Sequence, residues 1–157
     1  VAPVSRRIIY GLIAQRLTAV TNAYGYYGQI GRPLVHNLPV PADPIVKDPT
    51  NGNLQVQPYF VLYPGAGGDG PDQPLCDTDD ALSLDWRVTA VGGDVEDVLA
   101  LIDRMDGLLI GWTPVSSGLG FGRVGRLPGT SAPVLPDTTV KPPRQFAPLQ
   151  YALVATN

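Results

Sequence analysis

The chain has one cysteine, Cys76, and one histidine, His36. A single thiol excludes an intrachain disulfide framework and a cysteine-built zinc site, and it suits a reducing compartment. Cys76 stands beside Asp77 and near Asp79. Negative charge there raises a thiol's pKa and blunts its nucleophilicity, so it reads as a bystander. With one imidazole, any Ser-His-Asp chemistry must pass through His36. Its neighbours Val35 and Asn37, between Pro33 and Pro39, form no nucleophile elbow, and Ser116-Ser117-Gly118 lacks the G-x-S-x-G frame. Hydrolase chemistry is rejected on these grounds, and no catalytic residue is expected.

Charge is also scarce. Charged residues make up 16% of the chain, with 11 Lys and Arg against 14 Asp and Glu, for a net charge of −3. The only basic cluster is Arg6-Arg7. Sequence-independent grip on nucleic acid grows with the number of phosphate contacts, so the composition argues against a DNA-binding protein. No apolar run approaches the roughly 18 residues of a membrane-spanning helix. The run from Ile8 to Val20 is interrupted by Gln15 and Arg16 and has no cleavage-site pattern, so a signal peptide is not expected.

What abounds is punctuation: 18 glycines and 17 prolines in 157 residues. Strands and long irregular loops should therefore outweigh helices. An apolar content of 44% gathered in strong runs argues against disorder throughout. The length fits one domain, residues 1–157, able to bury a core without staples.

Ser5 to Val20 reads as a first helix with Ser5 as N-cap and an apolar stripe of Ile8, Ile9, Leu12, Ile13, Leu17 and Val20. Asn22 followed by Gly25 marks its stop. Gln29 to Arg32 reads as a short first strand. From Leu34 to Pro58, Pro39, Pro41, Pro44 and Pro49 forbid a long helix and a central strand alike, and Asn51-Gly52 signals a turn. Pro58 to Pro64 is a strand bracketed by prolines, apolar on both faces. Ala81 to Val91 is a strand with β-branched Val88, Thr89 and Val91. Gly92-Gly93 then makes a turn into a helix from Asp94 to Ile110. Asp94 is its cap, Asp97 sits at the capping-box position, and Gly111 is its C′ residue. The expected buried stripe of that helix is Val95, Val98, Leu99, Ile102, Met105 and Leu109. Trp112 to Pro143 reads as a long irregular segment with a short strand over Phe121 to Leu127. Phe146 to Thr156 closes the chain as a strand with Leu149, Tyr151, Leu153 and Ala155 on one face. The fold class is α+β: an antiparallel or mixed β-sheet with two helices packed on one face, and long Pro/Gly-rich arms. Loops above about 15 residues are uncommon in compact domains, and these are taken as contact arms.

Two segments fit G-x-G-x-x-G: Gly65 to Gly70 and Gly120 to Gly125. Dinucleotide binding needs the last glycine to open a helix. Neither Pro71-Asp72-Gln73-Pro74 nor Arg126-Leu127-Pro128-Gly129 sustains one, so both read as loops and no cofactor is expected. Asp77, Asp79 and Asp80 lack EF-hand spacing and read as a solvated acidic loop, with no metal expected. Tyr26, Tyr27, Trp112, Leu119, Phe121, Arg123 and Arg126 lie in or beside irregular segments. They read either as cover for the core ends or as subunit-interface anchors, where aromatics and arginine are enriched.

One ordered set of residues carries a resemblance: the N-terminal helix, Pro58-Tyr59-Phe60-Val61-Leu62-Tyr63-Pro64 with its Gly-rich loop, Trp86-Arg87-Val88-Thr89-Ala90-Val91-Gly92-Gly93-Asp94, and Gln145 to Leu153. It resembles the tail terminator proteins of long, non-contractile-tailed bacteriophages, especially those of actinobacterial hosts, most closely over residues 57–110 and 144–155. The resemblance implies a sheet flanked by helices and no active site. It further implies a homohexameric ring that caps the tail tube, ends its growth and joins the head-side connector (stopper) protein. Its partners would be further copies of itself, the tail tube protein and that connector. DNA would cross the bore without specific binding, and no membrane is involved. The implied location is the virion's tail-neck junction, after assembly in the host cytoplasm. The stretch from Val35 to Pro58 has no counterpart in the resemblance and reads as an arm clasping a neighbour. The alternatives are a head-closure or neck connector of the same virion, and a small monomeric ligand-binding domain. On the arm reading, deleting Val115 to Pro136 should spare the fold and abolish assembly.

Overall fold

The computed structural model describes residues 5–69, 82–118, 120–129 and 131–156. In chain order the elements are α1 (Arg6–Leu17), β1 (Tyr24–Tyr27), β2 (Ile45–Lys47), β3 (Leu54–Val56), β4 (Tyr59–Tyr63), β5 (Gly68–Asp69), β6 (Leu82–Gly92), α2 (Val95–Leu109), β7 (Gly120–Phe121), β8 (Gly125–Arg126), β9 (Leu135–Asp137) and β10 (Arg144–Thr156).

Eight strands form one mixed sheet in the order β1-β4-β6-β10-β7; β5 joins at β6, while β8 and β9 join at β10. Among the described residues only the β1–β4 pair is parallel, and the 2-stranded β2–β3 ribbon stands apart. The spine is the antiparallel β6–β10 pair, in register from Gln145 opposite Gly92 to Ala155 opposite Leu82. Alternation along these strands turns Phe60, Leu62, Leu84, Trp86, Val88, Leu149, Tyr151 and Leu153 to one face. There they form a single core with Ile9, Ile13 and Leu17 of α1 and Val98, Leu101, Met105 and Leu109 of α2. Both helices therefore cover the same face, and the α+β expectation holds. On the opposite face a smaller cluster of Tyr26, Val56, Tyr59, Val61 and Val91 lies under the β2–β3 ribbon. This explains why β4 is apolar on both sides.

The local chemistry explains most element ends. The Ser5 hydroxyl caps α1 by accepting from the Ile8 N–H at 3.4 Å. The helix stops at Leu17, short of the expected Val20, and the chain reverses through Asn22 at φ 56°. Asp94 caps α2 by accepting from the Val95 N–H at 2.7 Å. Gly111 follows α2 at φ 78°, where a side chain would be strained. Gly65 is required for space: a Cβ there would lie 1.8 Å from the Asp85 carbonyl oxygen. The Tyr10 hydroxyl binds this crossing twice, donating to the Gly65 carbonyl at 2.8 Å and accepting its N–H at 2.9 Å.

Several expectations are corrected. The first strand is Tyr24–Tyr27, while Gln29 to Arg32 turns back so that the Tyr27 N–H reaches the Arg32 carbonyl. On α2, Leu101 is buried and Val95 and Leu99 are exposed, because the sheet takes a narrower arc than the apolar residues span. The region from Leu34 to Pro58 contains the β2–β3 ribbon. Its turn is tied by Asp48, which accepts from the Thr50 N–H and hydroxyl, bonds that hold the carboxyl below its usual pKa. The stretch from Trp112 to Pro143 is no free arm: β7, β8 and β9 all pair with the outer edge of β10. Val124 between them enters the core. The short strand expected over Phe121 to Leu127 is thus two pieces, β7 and β8.

Pro148 sits inside β10 without breaking it. The Leu127 and Gly122 N–H groups donate to the carbonyls of Gln150 and Val154, so by alternation the Pro148 nitrogen also faces this edge. It falls between the positions paired by β8 and β9, where no strand demands a donor.

Candidate functional site

The residues singled out in the sequence divide between two opposite margins of the sheet. Tyr26 and Tyr27 belong to β1 at one end of the strand order; Trp112, Phe121, Arg123 and Arg126 belong to the segment that lines the other end. Leu119 lies outside the described residues.

At the β1 margin, Tyr26 is fully buried. Its hydroxyl donates to the Pro41 carbonyl at 2.8 Å and its ring meets Tyr59 edge-on at 5.8 Å. Burial, with Tyr24, Tyr59 and Asp43 nearby, pushes its pKa up to about 12. Tyr26 is therefore an interior residue and offers no surface to a partner. Tyr27 is half-buried, with the Arg32 guanidinium 5.3 Å from its ring centre.

At the other margin Trp112 is half-buried against the main core, and Arg16 sits 5.4 Å from its ring centre. Phe121 is half-buried and pairs with Ala155. Arg123 is exposed. Arg126 is held by a two-pronged pair to Asp106, Nε to Oδ1 at 3.0 Å and Nη2 to Oδ2 at 2.8 Å. The same Oδ1 accepts the buried Tyr151 hydroxyl at 2.7 Å, and the Arg126 guanidinium lies 5.1 Å from the Tyr151 ring centre. Burial opposes the Arg126 charge, but the Asp106 bonds outweigh it and raise the guanidinium pKa. Burial and the Asp106 carboxylate drive the Tyr151 phenol far above its usual range. This network fastens β8 to α2 and β10.

Beside it lies a groove of about 490 Å3 lined by Ile102, Leu149, Ala132, Leu127, Ser131 and Arg126. Its one hydroxyl, Ser131, has no imidazole in the lining. A second hollow of about 190 Å3 on the opposite sheet face is walled by Tyr59, Tyr63 and Phe146, with Arg144 at its rim. Arg144 donates to the Tyr59 hydroxyl at 2.9 Å. These hollows can seat apolar side chains. His36 is exposed, and no group of three His, Cys, Asp or Glu positioned to hold a metal occurs among the described residues. Cys76, Asp77, Asp79 and Asp80 lie outside the described residues. Of the two G-x-G-x-x-G segments, Gly120 to Gly125 spans β7 and β8 and leads into strand. The first contains β5, and its last glycine lies outside the described residues. No helix is long and apolar enough to cross a membrane among the described residues.

Sequence reasoning missed several exposed apolar residues of regular elements, among them Ile8 on α1, Val95 and Leu99 on α2, and Val46 and Leu54 on the ribbon. A signal was present on α2, whose apolar positions span more of the helix circumference than one sheet can bury.

No protein-family model matches this chain, and no curated protein matches it. Among solved structures, it is similar to a chain in the virion of a native gene transfer agent (GTA) particle. Identity is 14%, each chain covers 95% of the other, and the TM-score is 0.56. A second solved chain is 16% identical over 98% of this one, with a TM-score of 0.48. At these identities the likeness shows the fold alone: over 95% of its length this chain is similar in fold to a chain of that particle.

Proposed function

We propose that this chain is a structural subunit of a phage-like virion, and specifically a tail terminator acting as a homohexameric ring. The observation that carries the reading is the end-to-end likeness in fold to a chain of a gene transfer agent virion. The layout of the surface supports it. A closed ring requires heterologous contacts, in which one patch meets a different patch on the next copy. Tyr27 with Arg32 at one sheet margin, and Trp112, Phe121 and Arg123 at the other, supply two unlike patches on opposite sides. The net charge of −3 suits a bore that DNA crosses without sticking. In this role the ring sits on the last ring of the tail tube, ends its growth and meets the head-side connector.

The test is the particle mass of the purified protein across a concentration series, with negative-stain images and binding to isolated tail tubes. Six-fold rings that cap tube ends are expected. Rings that bind the connector and ignore tube ends would turn the reading to a head-closure protein. A monomer that neither assembles nor caps tubes would overturn it and favour the ligand-binding domain.

A further inference from the structure

Two helix-interior glycines stand where nothing among the described residues calls for them. Gly11 lies in the middle of α1 and Gly107 in the last turns of α2, both exposed, and a Cβ built on either would meet no atom within 4 Å. Glycine in such a place weakens a helix relative to alanine, and neither position has a positive φ to justify it. Close approach by another backbone would justify both.

The exposed charges flanking the two glycines are Arg7 on α1 and Glu96 and Asp103 on α2, where half-buried Arg104 also stands one turn before Gly107. One turn before Gly11 stand Arg7 and Ile8, both exposed, and α1 carries Arg6, Arg7 and Arg16 with no acid. Arg6 and Arg16 are engaged within the chain, with the carbonyls of Ala66 and Leu108. Arg7 has no ion pair among the described residues. On α2, Glu96, Leu99, Ala100, Asp103 and Gly107 recur at three and four and share one outward face. All five are exposed, with Val95 beside them. Glu96 and Asp103 likewise have no ion pair among the described residues. One helix thus presents a cationic face around an exposed isoleucine, the other an anionic face around an exposed leucine, and each face is made shallow by a glycine.

We infer that the outward face of α1 in one copy docks on the outward face of α2 in the next, Arg7 meeting Glu96 and Asp103, with Ile8 packed near Leu99. Gly11 and Gly107 let the two backbones close together. The contact pairs two unlike faces, and because both helices cover the same side of the sheet the copies meet helix layer to helix layer. The inference rests on the reading of this chain as a self-assembling subunit, and it adds a helix-to-helix contact to the sheet-margin patches of that reading.

Charge reversal tests it. Arg7→Glu in one preparation and Glu96→Lys/Asp103→Lys in another are sized by light scattering and imaged beside the wild type, with thermal melts to confirm folding. Each variant alone should assemble at least tenfold more weakly. An equimolar mixture should recover, because the intact acids of the first meet the intact Arg7 of the second, and its new lysines meet the new glutamate. Gly11→Leu should raise the melting temperature of the isolated chain and yet weaken assembly, a pairing of effects that a purely structural glycine would not give. Wild-type rings with unaffected variants, or reversed variants that do not recover on mixing, would overturn this contact and leave the ring reading standing. Reversal-sensitive assemblies that are not six-fold would uphold the contact and overturn the ring. A wild-type chain that is monomeric at every concentration, with or without tubes, would overturn both.

Discussion

Asp106 joins three elements through one carboxylate: it accepts the buried Tyr151 hydroxyl and the two-pronged Arg126 pair. The consequences of removal are unequal. Asp106→Ala strands a buried phenol and should cost about 2–3 kcal/mol. Arg126→Ala leaves that bond intact and removes an ion pair whose side chains are 37% and 32% exposed, so about 1 kcal/mol is expected. Urea denaturation of both variants decides the point, and equal losses would contradict this ordering. The tyrosines also set an alkaline limit. Tyr10, Tyr26, Tyr27 and Tyr151 all have raised pKa values in the fold, each chiefly through burial. Below about pH 10 the folded and unfolded chains both keep these protons, and stability is insensitive to them. Above it the unfolded chain releases them first, so stability falls as pH rises toward the folded values. Replacing Tyr26 and Tyr151 together by Phe should flatten this fall between pH 10 and 11.5; an unchanged pH profile would show that the protons come from elsewhere.

Among the elements, the segment from Trp112 to Pro143 behaves differently from its composition. Its glycines and prolines announce an irregular arm, and a deletion of Val115 to Pro136 would be harmless to such an arm. In the fold, that deletion removes β7, β8, Val124 and Arg126, and it uncovers the edge of β10. The expected result is a chain that aggregates or loses its cooperative unfolding transition. Mutating only the projecting tip should be harmless: Val115 is 85% exposed, and Val115→Asp should shift stability by under about 0.5 kcal/mol. A soluble, cooperatively melting deletion variant would restore the arm reading. The contrast shows which parts of the fold were legible. Helices α1 and α2 and strands β6 and β10 announce themselves through periodicity, because each buries its own apolar stripe, and β4 announces itself as an apolar run bracketed by prolines. Strands of two or three residues have no period to read, and β7, β8 and β9 exist only because β10 offers them an edge. The same limit applies to the candidate surface. Tyr26 looks like an anchor beside a loop, but its burial depends on Pro41, Val56 and Tyr59, which only the folded chain brings over it. Arg126 reads in the sequence as an interface candidate, whereas its pairing with Asp106 and the role of Tyr151 depend on tertiary packing.

For the molecule as a whole, stability should be distributed very unevenly. The β6–β10 pair is flanked by β4 on one side, covered by two helices on one face, and paired along its whole length. The β2–β3 ribbon has strands of 3 residues, stands outside the main sheet and leaves Val46 and Leu54 exposed. An isolated two-stranded ribbon is marginal in water. What holds this one is Val56 in the smaller cluster and the Gln57 N–H bond to the Pro44 carbonyl at 2.8 Å. Local opening follows such differences in burial and pairing. Hydrogen exchange of the dilute chain should therefore find amides of residues 45–56 exchanging first and those of β4, β6 and β10 last. The assembled state then distinguishes two ways of building a ring. If the ribbon clasps a neighbour, its amides slow by tenfold or more on assembly, because the neighbour's surface replaces water around Val46 and Leu54. If the copies meet only through α1 and α2, the ribbon exchanges at the same rate in both states, and the new protection appears around Gly11 and Gly107 instead.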